Sequence, residues 1–128
     1  MVSAKIEASK AGIDILKQGG NAFDAMIATD LALSVVYPNA GNLGGGGFLV
    51  YRLSDSSYGS LDYREKSPSS ATKNMYLDEN GNEIEGLSTS GALSVGIPGT
   101  VAGLFKVCLL YTSPSPRDVE ESRMPSSA

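Results

Sequence analysis

Residues 22–36 read AFDAMIATDLALSVV, a helical run whose apolar side chains extend almost all the way round. Asn21 stands at its N-cap, Asp24 three residues on favours the helix dipole, and Pro38 forbids continuation. A helix of this kind needs cover on several sides. A free-standing domain of this size buries only roughly 60–70% of the surface its unfolded chain exposes. The run therefore fits best as one layer of something larger. It is shorter than a membrane span and carries Asp24 and Asp30, so a transmembrane reading fails.

A first helix precedes it. Ser3 is the expected N-cap, Ala4, Ala8, Ala11 and Ile15 form a stripe at helical spacing, and Ile13 and Leu16 widen it. Gly19 and Gly20 stop it. After Pro38 comes the glycine-rich run Gly41 to Gly47, then FLVYRL and, past the turn SDSSYG, SLDYRE. The first strand is apolar on both faces, as interior strands are, whereas the second alternates. Leu61 and Tyr63 point one way, Asp62 and Arg64 the other, and the short connection predicts an antiparallel hairpin. Pro68 to Thr72 reads as loop, with a helical turn near Ala71 to Met75, and Asn80-Gly81 signals a tight turn. Ala92 to Ile97 is strand-like, and Pro98-Gly99-Thr100 leads into an apolar helix beginning VAGLFK. Helices and strands together predict an α/β (α+β) fold.

Composition narrows the chemistry. With 41% hydrophobic and 19% charged residues, the chain is too apolar to be intrinsically disordered. Ten basic residues against 14 acidic ones give a net charge of −4, which argues against a nucleic-acid partner. Histidine is absent, which removes the commonest general base and the commonest metal ligand. The single cysteine, Cys108, excludes an internal disulfide framework and any multi-cysteine zinc site. Chemistry must run on hydroxyls, carboxylates, Arg, Lys and backbone groups.

The glycine run does not fit a phosphate loop. No Lys-Ser or Lys-Thr follows it, and it precedes a strand instead of opening a helix. Its other reading is structural: the glycines let backbone pass close to backbone, or adopt positive φ, at the entry to a buried strand. Arg64, at a strand end beside Glu65, is either half of an ordinary surface ion pair or a guanidinium fork for a substrate carboxylate. The hydroxyls of Thr72, Thr89, Ser90 and Thr100 have no histidine partner. A Thr activated by its own α-amine must begin its polypeptide, and here the first residue is Met1. None of them is a credible nucleophile.

Taken in order, GIDILKQGGNAFDAMIATDLALSVVYP, NAGNLGGGGFLVY, LDYREKSPSSATKNMYLD and GIPGTVAGL resemble the N-terminal part of the large subunit of γ-glutamyltransferases (glutathione hydrolases). The likeness runs from about Val2 to Lys106, and GGNAFDA, GNLGGGGF, DYRE and PGTVAGL are its most specific pieces. The resemblance implies a fragment of the αββα sandwich of N-terminal-nucleophile hydrolases. It implies cleavage of γ-glutamyl bonds through a Thr acyl-enzyme, with the glutamyl group passed to water or to amino acids, and no metal or organic cofactor. It places the α-carboxylate of the glutamyl donor on Arg64. The nucleophilic Thr belongs to the small subunit, outside this chain, so the chain alone is expected to be inactive. Implied partners are glutathione and other γ-glutamyl compounds, the rest of the large subunit and the small subunit of the same precursor. Two rivals are a related acylase of the cephalosporin or glutaryl type and a short, non-catalytic interaction module.

Residues 1–107 are thus read as the homologous segment, and residues 108–128 as a non-homologous tail. The tail, CLLYTSPSPRDVEESRMPSSA, holds none of the 15 glycines but three of the six prolines, and reads as disordered or as foreign sequence resembling translated adapter or vector. Met1 to Lys10 lacks the apolar core of a secretory signal. The family resemblance nonetheless implies a periplasmic or extracellular location.

Overall fold

A computed structural model describes residues 1–110. Its elements are α1 (Ile6–Lys17), α2 (Ala22–Val36), β1 (Phe48–Arg52), β2 (Tyr58–Asp62), a 3₁₀ turn at Ala92–Ser94, and α3 (Thr100–Leu110). Residues 111–128 of the expected tail lie outside the described residues; Cys108 to Leu110 continue α3 by most of a turn.

Small residues bring α1 and α2 together. Ala8 and Ala25 are fully buried, and a Cβ at Gly12 would run into the Thr29 hydroxyl and the Ala25 carbonyl. The buried Thr29 hydroxyl donates to that same carbonyl at 2.7 Å, so the tight contact leaves its polar atom satisfied. Ser3 does not cap α1. Lys5 holds that position without a side-chain cap, and the Ser3 Oγ instead donates to the Lys5 carbonyl at 2.7 Å. Ala4 therefore lies ahead of the helix and is exposed, as is Leu16; Gly12 takes the inward place between Ala8 and Ile15. Gly19, at φ 93, ends α1 where a side chain would be strained. Asn21 caps α2 as expected, its Oδ1 accepting from Phe23 and Asp24 while Asp24 accepts from the Asn21 N–H. The cover that α2 receives is incomplete: α1, α3 and, through Phe23, the Tyr51 ring meet it, yet only Ala25 and Thr29 are buried, and Leu31 and Val35 are exposed.

The two strands form an antiparallel hairpin, Phe48 opposite Asp62 and Arg52 opposite Tyr58. The turn is tighter than the sequence suggested. Ser56 adopts φ 71, Asp55 Oδ1 accepts from the Ser57 N–H at 2.8 Å, and Leu53 N–H donates to Ser57 at 2.7 Å. Pairing therefore starts at Tyr58, and Tyr63 to Glu65 fall beyond the strand. One face carries the half-buried Leu49, Tyr51 and Leu61, and Phe23 of α2 meets the Tyr51 ring edge-on at 5.7 Å. The other face presents Phe48, Val50 and Tyr58 to the outside. Among the described residues β1 has this one partner strand, so the molecule is a helix layer against one sheet face with the opposite face open.

Between β2 and α3 the chain is mostly turns. Leu77 pairs with Glu83 around the Asn80-Gly81 turn, Gly81 at φ 83. The Asp78 carboxylate accepts from Asn82 and Asn80, which lowers its pKa. Ala92–Ile97 is not a strand. The Ser94 N–H and hydroxyl both donate to the Gly91 carbonyl and wind the first half into a 3₁₀ turn, leaving only Ile97 to pair, with Lys66. No helix among the described residues is long and apolar enough to cross a membrane.

Candidate functional site

The segment Tyr63-Arg64-Glu65 is gripped from two sides. On one side lies the glycine loop, where a Cβ on Gly46 would sit 2.5 Å from the Tyr63 carbonyl oxygen and 2.7 Å from the Arg64 Cα. None of Gly44 to Gly47 has positive φ. Close approach of backbone to backbone, and not an unusual conformation, is what the run provides there. On the other side is the start of α3, where a Cβ at Gly99 would meet the Tyr63 carbonyl and one at Gly103 would meet the Tyr63 ring. Backbone bonds lock the three segments. Tyr63 N–H donates to Gly47 at 3.0 Å, and the Gly45 carbonyl accepts from Gly99 at 2.8 Å and from Thr100 at 3.1 Å. These last two are donors at the opening of a helix that have no partner within it, so the loop satisfies them.

Arg64 emerges from this grip on the open face of the hairpin. Its backbone N–H donates to Asp62 Oδ1 at 3.0 Å, its Nε lies 3.2 Å from Glu65 Oε2, and its guanidinium stands 5.8 Å from the centre of the Phe48 ring. The side chain remains 60% exposed, so the pair with Glu65 is a surface ion pair worth at most about 1 kcal/mol. An incoming carboxylate can displace or share it. Arg64 also borders a cleft of about 280 Å³ shared with Asp62, Lys66, Pro98, Gly103 and Lys106. The cleft mixes three cationic side chains with one carboxylate and an apolar floor, which suits an anionic small molecule.

Two titratable groups nearby are perturbed. Partial burial raises the Asp30 carboxyl above the ordinary 3.8. Burial first, and the Asp30 charge second, push the Tyr63 phenol above 10.

The hydroxyl candidates do not converge. Thr100 donates to the Asn42 carbonyl at 3.0 Å, Thr89 to Gly86 at 3.3 Å, and Thr72 and Ser90 lie in the turns between β2 and α3. Among the described residues no group of three or more His, Cys, Asp or Glu could hold a metal ion. Alternation in the sequence placed Tyr63 correctly on the inner face but gave no hint of its role. The available signal was the spacing of Gly99 and Gly103, four apart at the opening of α3, the first leaving room for the Tyr63 carbonyl and the second for its ring.

Comparison with known proteins identifies what carries this arrangement. The family described as Gamma-glutamyltranspeptidase matches residues 8–119. A glutathione hydrolase proenzyme of Pseudomonas sp. (strain A14) is 57% identical over 104 residues, covering 81% of this chain and 18% of the relative. The crystal structure of Helicobacter pylori gamma-glutamyltranspeptidase superposes with a TM-score of 0.83 at 46% identity, over 93% of this chain and 34% of that one. The Pseudomonas nitroreducens gamma-glutamyltranspeptidase complexed with L-DON gives 0.82 at 47% identity, over 87% and 33%. The chain thus spans less than a fifth of the length of that curated relative, whose share is 18%.

Proposed function

This chain belongs to the γ-glutamyltranspeptidase family, and from that premise we propose that it forms the donor-carboxylate subsite of an enzyme cleaving γ-glutamyl bonds. Its helix layer and open-faced sheet are a fragment of the αββα sandwich of N-terminal-nucleophile hydrolases. The observation that carries the reading is Arg64, a guanidinium fixed at its backbone, exposed at its tip and engaged, among the described residues, by the neighbouring Glu65 and the Phe48 ring.

A γ-glutamyl donor such as glutathione carries an α-carboxylate at a fixed distance from the bond to be broken. A bidentate contact from Arg64 sets both the position and the orientation of that end, which Lys would hold only as a point charge. The γ-carbonyl is thereby presented to a nucleophile elsewhere in the polypeptide. The reading assigns attack to the N-terminal Thr of a small subunit, whose own amine accepts the proton, with water or an amino acid releasing the glutamyl group. The remaining large-subunit chain and the small subunit are the partners in this reading, and export to the periplasm or cell exterior goes with it.

In a full-length protein carrying this segment, Arg64→Ala is expected to lower kcat/KM for glutathione about 10- to 100-fold, matching the roughly 1.5–3 kcal/mol of a charged hydrogen-bonded contact. Arg64→Lys recovers part of the loss. Unchanged kinetics in Arg64→Ala would overturn the assignment.

A further inference from the structure

Tyr63 is the one side chain near Arg64 that both glycine faces are shaped around. A Cβ on Gly47 would lie 3.0 Å from Cε2, Cζ and the hydroxyl of Tyr63, and a Cβ on Gly103 would run into its Cβ, Cγ and Cδ2. The near half of the ring thus rests on α3 and its far end on the glycine loop. Its main chain is held as firmly: Tyr63 and Gly47 exchange N–H to carbonyl bonds at 3.0 and 3.4 Å, and Gly46 and Gly99 both press on its carbonyl oxygen. That carbonyl belongs to the peptide group leading into Arg64. All of these contacts lie within residues 46–103, so they do not depend on what packs against the outer faces.

We propose that Tyr63 is a positioning residue for donor binding: wedged between Gly47 and Gly103, its ring fixes the peptide that aims the Arg64 guanidinium. The proposal rests on Arg64 being the carboxylate-binding residue. The physical reason is leverage. Arg64 has a long, exposed side chain whose contacts among the described residues are Glu65 and the Phe48 ring, so its aim depends on how rigidly its backbone is held. Rotation of the peptide before it sweeps the guanidinium through a distance larger than a hydrogen bond tolerates. Ring shape, and not the hydroxyl, is the active feature, since the glycines leave space for a plane and, among the described residues, the phenol oxygen makes no hydrogen bond.

The test is a double-mutant cycle in the full-length protein with glutathione as donor. Tyr63→Leu should raise KM about tenfold with kcat little changed, within the up to roughly 100-fold cost of a 1 Å misplacement. Tyr63→Phe, which keeps the ring, should restore wild-type KM. In an Arg64→Ala background, Tyr63→Leu should change KM by less than about twofold, because a residue acting only through Arg64 has nothing left to aim. Gly47→Ala provides the milder perturbation should Tyr63→Leu fail to fold: its methyl displaces the ring by a few tenths of an ångström and should raise KM severalfold, again only when Arg64 is present. If Arg64→Ala leaves KM unchanged, the carboxylate assignment fails and the positioning role with it. If Arg64→Ala raises KM but Tyr63→Leu or Gly47→Ala acts by the same factor in both backgrounds, the assignment stands and the positioning role is overturned.

Discussion

The hydroxyl of Thr100 donates to the carbonyl of Asn42 at 3.0 Å, joining the first residue of α3 to the glycine loop across 58 positions of sequence. Thr100 is 4% exposed, whereas Asn42 is exposed and its carbonyl also accepts from the Gly45 N–H at 3.2 Å, so losing the bond removes a cross-link without stranding the carbonyl. Thr100→Val keeps the shape and removes the donor. It should destabilise the segment by about 0.5–1.5 kcal/mol, the net worth of one hydrogen bond. Thr100→Ser should cost less. Amide hydrogen exchange at Gly99, Thr100 and Gly103 is the sensitive measurement, because these N–H groups lie at the junction and should lose protection first in Thr100→Val.

Two neighbouring glycines should respond very differently to the same methyl group. At Gly46 it would meet the Tyr63 carbonyl oxygen, the Arg64 Cα and the Glu65 nitrogen at 2.5–2.8 Å, all of them backbone. At Gly44 its nearest neighbour is the Asn42 Oδ1 at 3.1 Å, the end of a side chain that can turn away. Gly46→Ala should therefore destabilise by about 1–3 kcal/mol or more through overpacking and displace Arg64 as well. Gly44→Ala should be close to neutral. Thermal melting paired with donor KM in a full-length protein separates the two, and equal behaviour would contradict the close-approach account of the loop.

Much of this arrangement was legible in the sequence, and the parts that were not share a cause. The Asn21 cap, the Gly19 stop, the hairpin and the Asn80-Gly81 turn all depend on interactions a few residues long, and each was read correctly. The glycine run implies either close backbone approach or positive φ, and of the two Gly46 shows the close approach. The errors arose where a nearby polar group outcompeted a pattern. Ser94 folds Ala92–Ser94 back onto Gly91 instead of extending it, and the Ser3 hydroxyl turns to the Lys5 carbonyl instead of capping α1. What faces Arg64 was invisible, because the loop at 41–47, the strand end at 63–65 and the helix start at 99–103 meet only in three dimensions. Composition left Arg64 as half of a surface pair; the family resemblance singled it out.

Asp30 should make stability depend on pH in an unusual direction for a carboxylate. Burial raises its folded pKa above 3.8, so the folded chain binds the proton more readily than the unfolded chain does. Its contribution to stability is greatest below the unfolded value, falls as pH rises through the interval up to the raised folded value, and stays low at neutral pH. Asp30→Asn removes this loss and should raise the melting temperature at pH 7 while changing it little at strongly acidic pH. The same substitution should lower the Tyr63 pKa without returning it to 10, because burial is the larger cause and the Asp30 charge the smaller. Following the ring-carbon NMR shift of Tyr63 against pH checks this. An unmoved Tyr63 titration in Asp30→Asn would show that the two groups do not communicate.

The outer face of the hairpin should govern how this chain behaves when produced by itself. Phe48 is 67% exposed, Val50 82% and Tyr58 85%, on a sheet face opposite the one that Phe23 covers. β1 and β2 have one partner each among the described residues, so both also offer unpaired backbone edges. An apolar face combined with open edges favours edge-to-edge association. The isolated chain is therefore expected to self-associate and to bind an apolar dye. Val50→Lys together with Tyr58→Lys should reduce both effects, since charge on the outward positions opposes stacking without touching Leu49, Tyr51 or Leu61 on the helix side. In a full-length protein the same pair should instead destabilise the fold by several kcal/mol, the cost of burying unpaired ammonium groups once a second layer covers that face. Sedimentation of the short chain and thermal melting of the long one give opposite signs for a single pair of substitutions. Were the double variant harmless in the long protein, the open face would have no layer over it and the sandwich reading would have to be revised.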